Sequence, residues 1–279
     1  MKRSRLLRRR KAALVGAIVL ACIGAVALFA PVLAPYDPIR IDPASALSPP
    51  ALQHPFGTDQ YGRDIMSRAI VGSRLSLLTG LGAVAVALAT GVVLGLLCGV
   101  IGGWTDLLFM RVIDIMMAFP SILMALVVVA VLGQGTVNVM LAVGVSLIPT
   151  FVRLVRGDVL SVKENVYVEA ARALGCWQAR LALRHVLPNI VAPLIVLSTV
   201  AIAWSIILGA SLSFLGLGPR PPIPEWGIDL SNGRSYLLRA WWISSAPGVC
   251  IMLTVVAVNL VGDALRDELD PRLRSLANL

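Results

Sequence analysis

The sequence predicts an all-α polytopic membrane protein with six transmembrane helices. Two observations carry this. Of the 279 residues, 58% are hydrophobic and only 14% are charged, whereas a soluble domain carries about a quarter charged residues. The apolar residues also gather into runs long enough to cross about 30 Å of hydrocarbon as helices, the form in which a segment satisfies its own backbone polar groups. The mean hydropathy of +0.86 agrees. A formal net charge of +9 would suggest nucleic acid for a soluble protein. Here much of it sits in Lys2, Arg3, Arg5, Arg8, Arg9, Arg10 and Lys11, directly before an apolar run. Such a tail, residues 1–11, reads as an orientation signal beside anionic lipid, with no nucleic-acid partner.

The first span is expected over residues 12–34. It could be a secretory signal, but the run is long enough to span, and Pro31 and Pro35 disfavour processing near Ala30, so a retained anchor is the better reading. Residues 35–75 read as a polar loop. Within it Gly57 and Gly62 suit turns, and Asp59, Arg63 and Asp64 can pair. A five-helix core is expected over 76–263. Its first helix, about Leu77 to Ile101, sets Ala83, Ala87, Gly91, Gly95 and Gly99 four residues apart, a ridge of small residues that lets another helix approach closely. Packing within this subunit is the plain reading. A short connection, Gly102 to Arg111, leads to a third span over Val112 to Leu132, with Pro120 able to kink it. Asp114 falls in its first turn, three residues from Arg111. An ionisable group inside a membrane is a functional candidate, yet an Arg111–Asp114 pair explains it more cheaply.

The fourth span, about Val139 to Val155, exits through Arg153 and Arg156. The fifth, about Ile190 to Leu215, carries no charge from Asn189 through Gly218. Its polar handles are Trp204, Ser205, Ser211 and Ser213. Serines in such helices usually bond to backbone, and lining a pore is the sharper reading for these three. Residues 212–245 hold too many prolines and glycines to continue a helix and predict an ordered re-entrant or surface loop. Trp241 and Trp242 fit an interfacial aromatic belt. A last span, about Ala246 to Val261, precedes a tail, 264–279.

Several chemistries are excluded. The four cysteines form no CxxC pair, so neither a disulfide framework nor a metal site is expected. No HExxH occurs and no GxxxxGK[ST] occurs, so the chain carries neither that zinc-protease motif nor a P-loop of its own. No catalytic cluster is visible in the spans.

The polar stretch from Asp158 to Pro188 is the most informative. It reads as two short helices broken at Gly175, which lacks a Cβ and can enter left-handed space. Val166, Ala170, Ala173 and Leu174 give the first a narrow face of small apolar residues. Trp177 and Leu181 share a face of the second, and Pro188 disfavours helical geometry at Leu187, marking a boundary. On physics alone this could be an ordinary amphipathic loop helix. Glu169-Ala170-Ala171, then Gly175, then Leu187-Pro188 resembles the EAA loop of ABC-importer permeases. His185 to Asn189 is similar to the His-hydrophobic-Leu-Pro-Asn of the family's peptide-transport branch. His54-Pro55-Phe56-Gly57-Thr58-Asp59…Gly62-Arg63-Asp64 and Leu212-Ser213-Phe214-Leu215-Gly216-Leu217-Gly218…Pro221-Pro222…Pro224…Trp226-Gly227 resemble segments of the C-type subunits of dipeptide and oligopeptide permeases.

The resemblance implies a type I ABC-importer permease fold in a bacterial inner membrane, with an extracytoplasmic loop before the core. It implies a second homologous permease subunit, two ATPase subunits or domains that bind ATP and Mg, and an extracytoplasmic substrate-binding protein. The chain itself would hold no cofactor and catalyse nothing. Tyr167, Glu169, Ala170, Ala171, Gly175, Leu187 and Pro188 would then form the ATPase-coupling element. Dipeptides or oligopeptides are the implied cargo, with nickel chelates and glutathione-like compounds as alternatives. Charge counting points the same way independently. Six spans place both termini and the Asp158–Pro188 loop on one side, with seventeen Lys and Arg against seven opposite, which the positive-inside rule assigns to the cytoplasm. A self-sufficient channel or secondary transporter would carry more buried ionisable groups or broken helices in paired halves.

Overall fold

The computed structural model describes the backbone of residues 2–269 and the side chains of residues 11–269. The basic cluster before Lys11 and the end of the tail, 270–279, therefore lie outside the described side chains. Among the described residues every regular element is a helix, with one isolated bridge between Thr58 and Asp64 in the loop that precedes the core. Five helices are long and apolar enough to cross a membrane, or six when one bent pair is counted as a single span.

Helix α1 (Lys2–Leu28) stops at Phe29 and resumes as α2 (Ala30–Leu33). The sequence predicts a single span over residues 12–34. Pro31 interrupts it, because a proline supplies no N–H and its ring crowds the carbonyl one turn earlier. From Lys11 on, α1 buries Gly16, half-buries some neighbours and leaves the rest exposed. At Gly16 a Cβ would meet the Ala257 carbonyl at 2.9 Å.

Helix α3 (Ile65–Ile101) begins about ten residues before the expected boundary at 75, because Asp64 caps it. The Asp64 carboxylate accepts from the Ser67 amide at 2.7 Å, satisfying a donor that a helix start leaves orphaned. The small-residue ridge lies against α6 (Thr136–Lys163) of the same chain. A Cβ on Gly91 would meet Phe151 Cβ at 2.3 Å, one on Gly95 would meet Val155 Cβ at 2.5 Å, and one on Gly99 would meet Val159 Cγ1 at 2.6 Å. Ala83, Ala87, Val143, Phe151, Val155 and Val159 close the main core around this seam.

The third span is not one kinked helix. Gly102 and Gly103 take left-handed φ of 69° and 59°, and α4 (Gly103–Met117) runs through what was expected to be a connection. It meets α5 (Ser121–Leu132) at a bend of 98°. Pro120 follows Phe119, and the residue before a proline is pushed out of helical space, so the bend falls there.

Beyond α6 come α7 (Val166–Ala173) and α8 (Gln178–Arg180), which passes through a π-helical stretch, Leu181–Val186, into α9 (Leu187–Phe214). Residues 158–163 thus belong to α6, and the second short helix expected after Gly175 is the root of α9. Then follow α10 (Trp226–Gly233) and α11 (Trp242–Leu269). The long helices outrun the apolar stretches that announce them, since hydropathy marks the lipid-depth part and hydrogen bonding continues past it.

At the end where α3 begins, the loop 34–64 folds into a cap. Gly57 and Gly62 have φ of 72° and 74°, and a Cβ on Gly62 would lie 1.8 Å from the Asp42 carbonyl oxygen. Arg63 Nε donates to Asp59 at 2.6 Å, and His54 lies 2.8 Å from Asp64. Trp242 is buried, with its indole donating to the Thr58 carbonyl at 3.1 Å. Only Trp241 of the expected belt is exposed. Arg68 pairs with Asp229 of α10 and also donates to the Pro38 and Pro222 carbonyls at 2.9 and 3.2 Å. Glu225 caps α10, accepting from the Gly227 and Ile228 amides, both at 3.0 Å, and from Ser76 at 3.1 Å. The region expected as a re-entrant or surface loop is therefore anchored from within by Trp226, which is buried.

Candidate functional site

The far end of the bundle is where α6 runs out to Lys163 and α7 hangs from it. Helix α7 is only eight residues long. Glu169 in its first turn and Arg172 in its last oppose the helix dipole favourably. It ends as the glycine requires: Gly175 has φ of 82°, its amide donates to the Arg172 carbonyl at 3.0 Å, and the Cys176 amide donates to Ala171 at 3.1 Å. These two bonds form a Schellman closure.

Burial shows which side of α7 is free. Val168 is fully buried and roots the helix in the body. Val166 is 80% exposed, Leu174 89% and Trp177 72%. Tyr167, Glu169, Ala170 and Ala173 are exposed as well, and Ala171 is half-buried. The expected apolar face of Val166, Ala170, Ala173 and Leu174 is thus turned outward. Trp177 does not share a covered face with the buried Leu181. This leaves an apolar patch at this end that no described residue of the chain covers.

Leu187 and Pro188 lie within a continuous helix and not at a boundary. Leu187 keeps helical angles, φ −53° and ψ −45°. The π-helical stretch absorbs the proline: the Leu187 amide bonds back to Ala182, and the Asn189 side chain donates to the His185 carbonyl at 2.7 Å.

The ionisable residues at this end differ from expectation. Asp114 pairs with Arg153 at 2.7 Å and not with Arg111, because α4 lies across α6 and brings the two faces together. Arg156 grips Asp106 through both oxygens, at 2.5 and 2.6 Å. Lys163 donates to the Gly99 and Val100 carbonyls at 2.8 and 3.1 Å, where the end of α3 offers unpaired acceptors. Sequence reasoning passed over Asp106, Arg156 and Lys163 as partners, since nothing in their spacing along the chain reveals a crossing of helices.

A model of the family described as "binding-protein-dependent transport system inner membrane component" matches residues 91–275, and one described as "N-terminal TM domain of oligopeptide transport permease C" matches 4–50. The chain belongs to this family of transport permeases. Among similar proteins, a dipeptide transport system permease of Alkalihalophilus pseudofirmus is 44% identical over 96% of this chain and 88% of its own length. A di/tripeptide transport system permease of Pseudomonas aeruginosa is 45% identical over 96% and 90%. A glutathione transport system permease of Pectobacterium atrosepticum is 45% identical over 97% and 90%.

In this permease the three candidate pore serines differ in their surroundings. Ser205 is fully buried, its hydroxyl between the Gly80 and Ile202 carbonyls at 2.9 and 2.8 Å, and joins α9 to α3. Ser213 is buried beside Gly218. Ser211 is half-buried and back-bonds to Ile207 at 2.8 Å. No group of three or more metal-ligating side chains occurs among the described residues.

Proposed function

We propose that this permease is one of two membrane subunits of an ATP-driven importer of dipeptides or oligopeptides, and that α7 is its docking element for a separate ATPase. The observation that carries the reading is the exposed apolar surface of Val166, Tyr167 and Ala170 on α7 and of Leu174 and Trp177 in the turn after it, with Val168 the one buried side chain of that helix. Glu169 supplies a polar contact or helix support, Ala170 and Ala171 allow a close fit, and Gly175 makes the turn. Nucleotide-driven closure of two ATPase subunits or domains would move α7, and the movement would pass along α6 and α9 to the translocation path. A homologous second permease completes that path, and a binding protein delivers the peptide from outside. Both termini then face the cytoplasm, in keeping with the distribution of Lys and Arg.

Small peptides are the cargo that the similar permeases of known name support; glutathione, itself a modified tripeptide, falls within the same class. The decisive test reconstitutes the assembled transporter in proteoliposomes. Gly175→Pro, which cannot adopt a left-handed φ, is expected to leave the chain inserted but abolish peptide-stimulated ATP hydrolysis and uptake. Unchanged uptake would refute the assignment. Competition of labelled dipeptide uptake by longer peptides and by glutathione ranks the substrates.

A further inference from the structure

We infer that Arg156, with Arg153, links the stem of the coupling helix to α4, so that α4 travels with α6, while Lys163 ties the same stem to the end of α3. This deepens the docking role proposed for α7 and rests on it.

Three ties leave α6 within one short segment just before α7. Arg156 forks onto both oxygens of Asp106, Arg153 reaches Asp114, and Lys163 holds the last carbonyls of α3. The first is the strongest. A planar guanidinium matched to a carboxylate gains two charge-assisted bonds in one fixed geometry, and both side chains are largely shielded, at 30% and 20% exposure. The Arg153–Asp114 pair is about half exposed and weaker.

Helix α4 depends on these ties because little else holds it. Ile113 is its single fully buried side chain, while Trp104, Leu107, Leu108, Val112 and Ile115 are exposed. Its ends are articulated: Gly102 and Gly103 with left-handed φ at one, and the 98° bend before α5 at the other. A helix jointed at both ends takes its direction from its lateral contacts, and beyond its packing on α3 the ion pairs on it come from α6. Through the bend, any reorientation of α4 passes to α5, which packs on α6 through Ala125 and Val129. Arg156 is a positioning residue in this arrangement and touches neither nucleotide nor peptide.

The test uses the assembled transporter in proteoliposomes, with hydrolysis and peptide uptake measured together. Asp106→Asn, nearly isosteric, and Arg156→Gln should each lower peptide transported per ATP about tenfold, the worth of a lost charge-assisted bond. ATP hydrolysis should continue. The exchange Asp106→Arg with Arg156→Asp should restore a large part of the ratio. Spin labels at Leu108→Cys on α4 and Leu160→Cys on the stem of α6, both exposed, in a chain freed of its native cysteines, should keep one narrow distance through the nucleotide cycle, and Arg156→Gln should broaden it. An unchanged ratio and distance in Asp106→Asn would overturn the linkage. Hydrolysis, assembly and uptake falling in step would also overturn it, as damage to the fold alone. Gly175→Pro in the same vesicles separates the two ideas: if it uncouples and Asp106→Asn does not, only the linkage fails, and if it too transports normally, the docking role fails.

Discussion

At the scale of single residues, the cap end is governed by charges taken out of water. Burial pushes the Glu225 carboxyl up, against the lowering effect of the amides and hydroxyls it accepts from. Burial pushes Asp229 up as well, against the attraction of Arg68. A carboxylate whose folded value lies above its unfolded one favours the fold below the unfolded carboxylate range, and that contribution is lost as pH rises through the folded value. Thermal unfolding of the detergent-solubilised permease should accordingly shift to lower temperature as pH climbs through this window. Glu225→Gln should flatten the slope; an identical slope in the variant would count against the burial argument. Arg68→Ala strands Asp229 in the interior at a cost of about 3–5 kcal/mol. A second change, Asp229→Asn, should recover part of the lost unfolding temperature. At the opposite end of the size range, Gly91→Val drives a side chain into Phe151. Overpacking of this kind costs about 1–3 kcal/mol and is read in the same unfolding assay.

Among elements, α7 and the pair α4–α5 differ most in how visible they are in the chain. Helix α7 and its stop could be read because they rest on local chemistry: a short run of small residues, then a glycine where the backbone turns left-handed. The α3 ridge was legible for the same reason, since a four-residue spacing of small side chains requires a close neighbour. The bend at Pro120 was read as a kink because a proline says that hydrogen bonding is interrupted without saying how far the next helix turns. Asp114 was matched to Arg111 because spacing along a helix is all that a sequence offers, whereas Arg153 reaches it across a crossing made by tertiary packing. Asp229 and Glu225 gave no signal at all, being ordinary acidic residues in a loop until the fold covers them. At this scale the expectation concerns Val168. Val168→Asp would uproot α7 from the body and should abolish cross-linking between Ala173→Cys and the ATPase, with the permease still inserted. Retained cross-linking would show that Val168 is not the root.

For the whole molecule, orientation is the property to establish. Arg172→Cys, exposed on α7, in a chain freed of its native cysteines, should react with membrane-impermeant maleimide in inverted vesicles, whose cytoplasmic face is outward, and not in intact cells; labelling in intact cells would reverse the arrangement. The chain's two ends are built differently: polar clasps and a buried tryptophan at the cap, and an uncovered apolar helix at the other. Between them, the helical run from Gln178 to Phe214 is 37 residues long. At 1.5 Å per residue it measures roughly 55 Å, some 25 Å more than the hydrocarbon it crosses. It therefore extends well past the hydrocarbon it crosses. A rigid tilt of about 5° would swing each tip by some 2–3 Å, so a displacement no larger than an atom's diameter at one end of the run would reappear, reversed in direction, at the other.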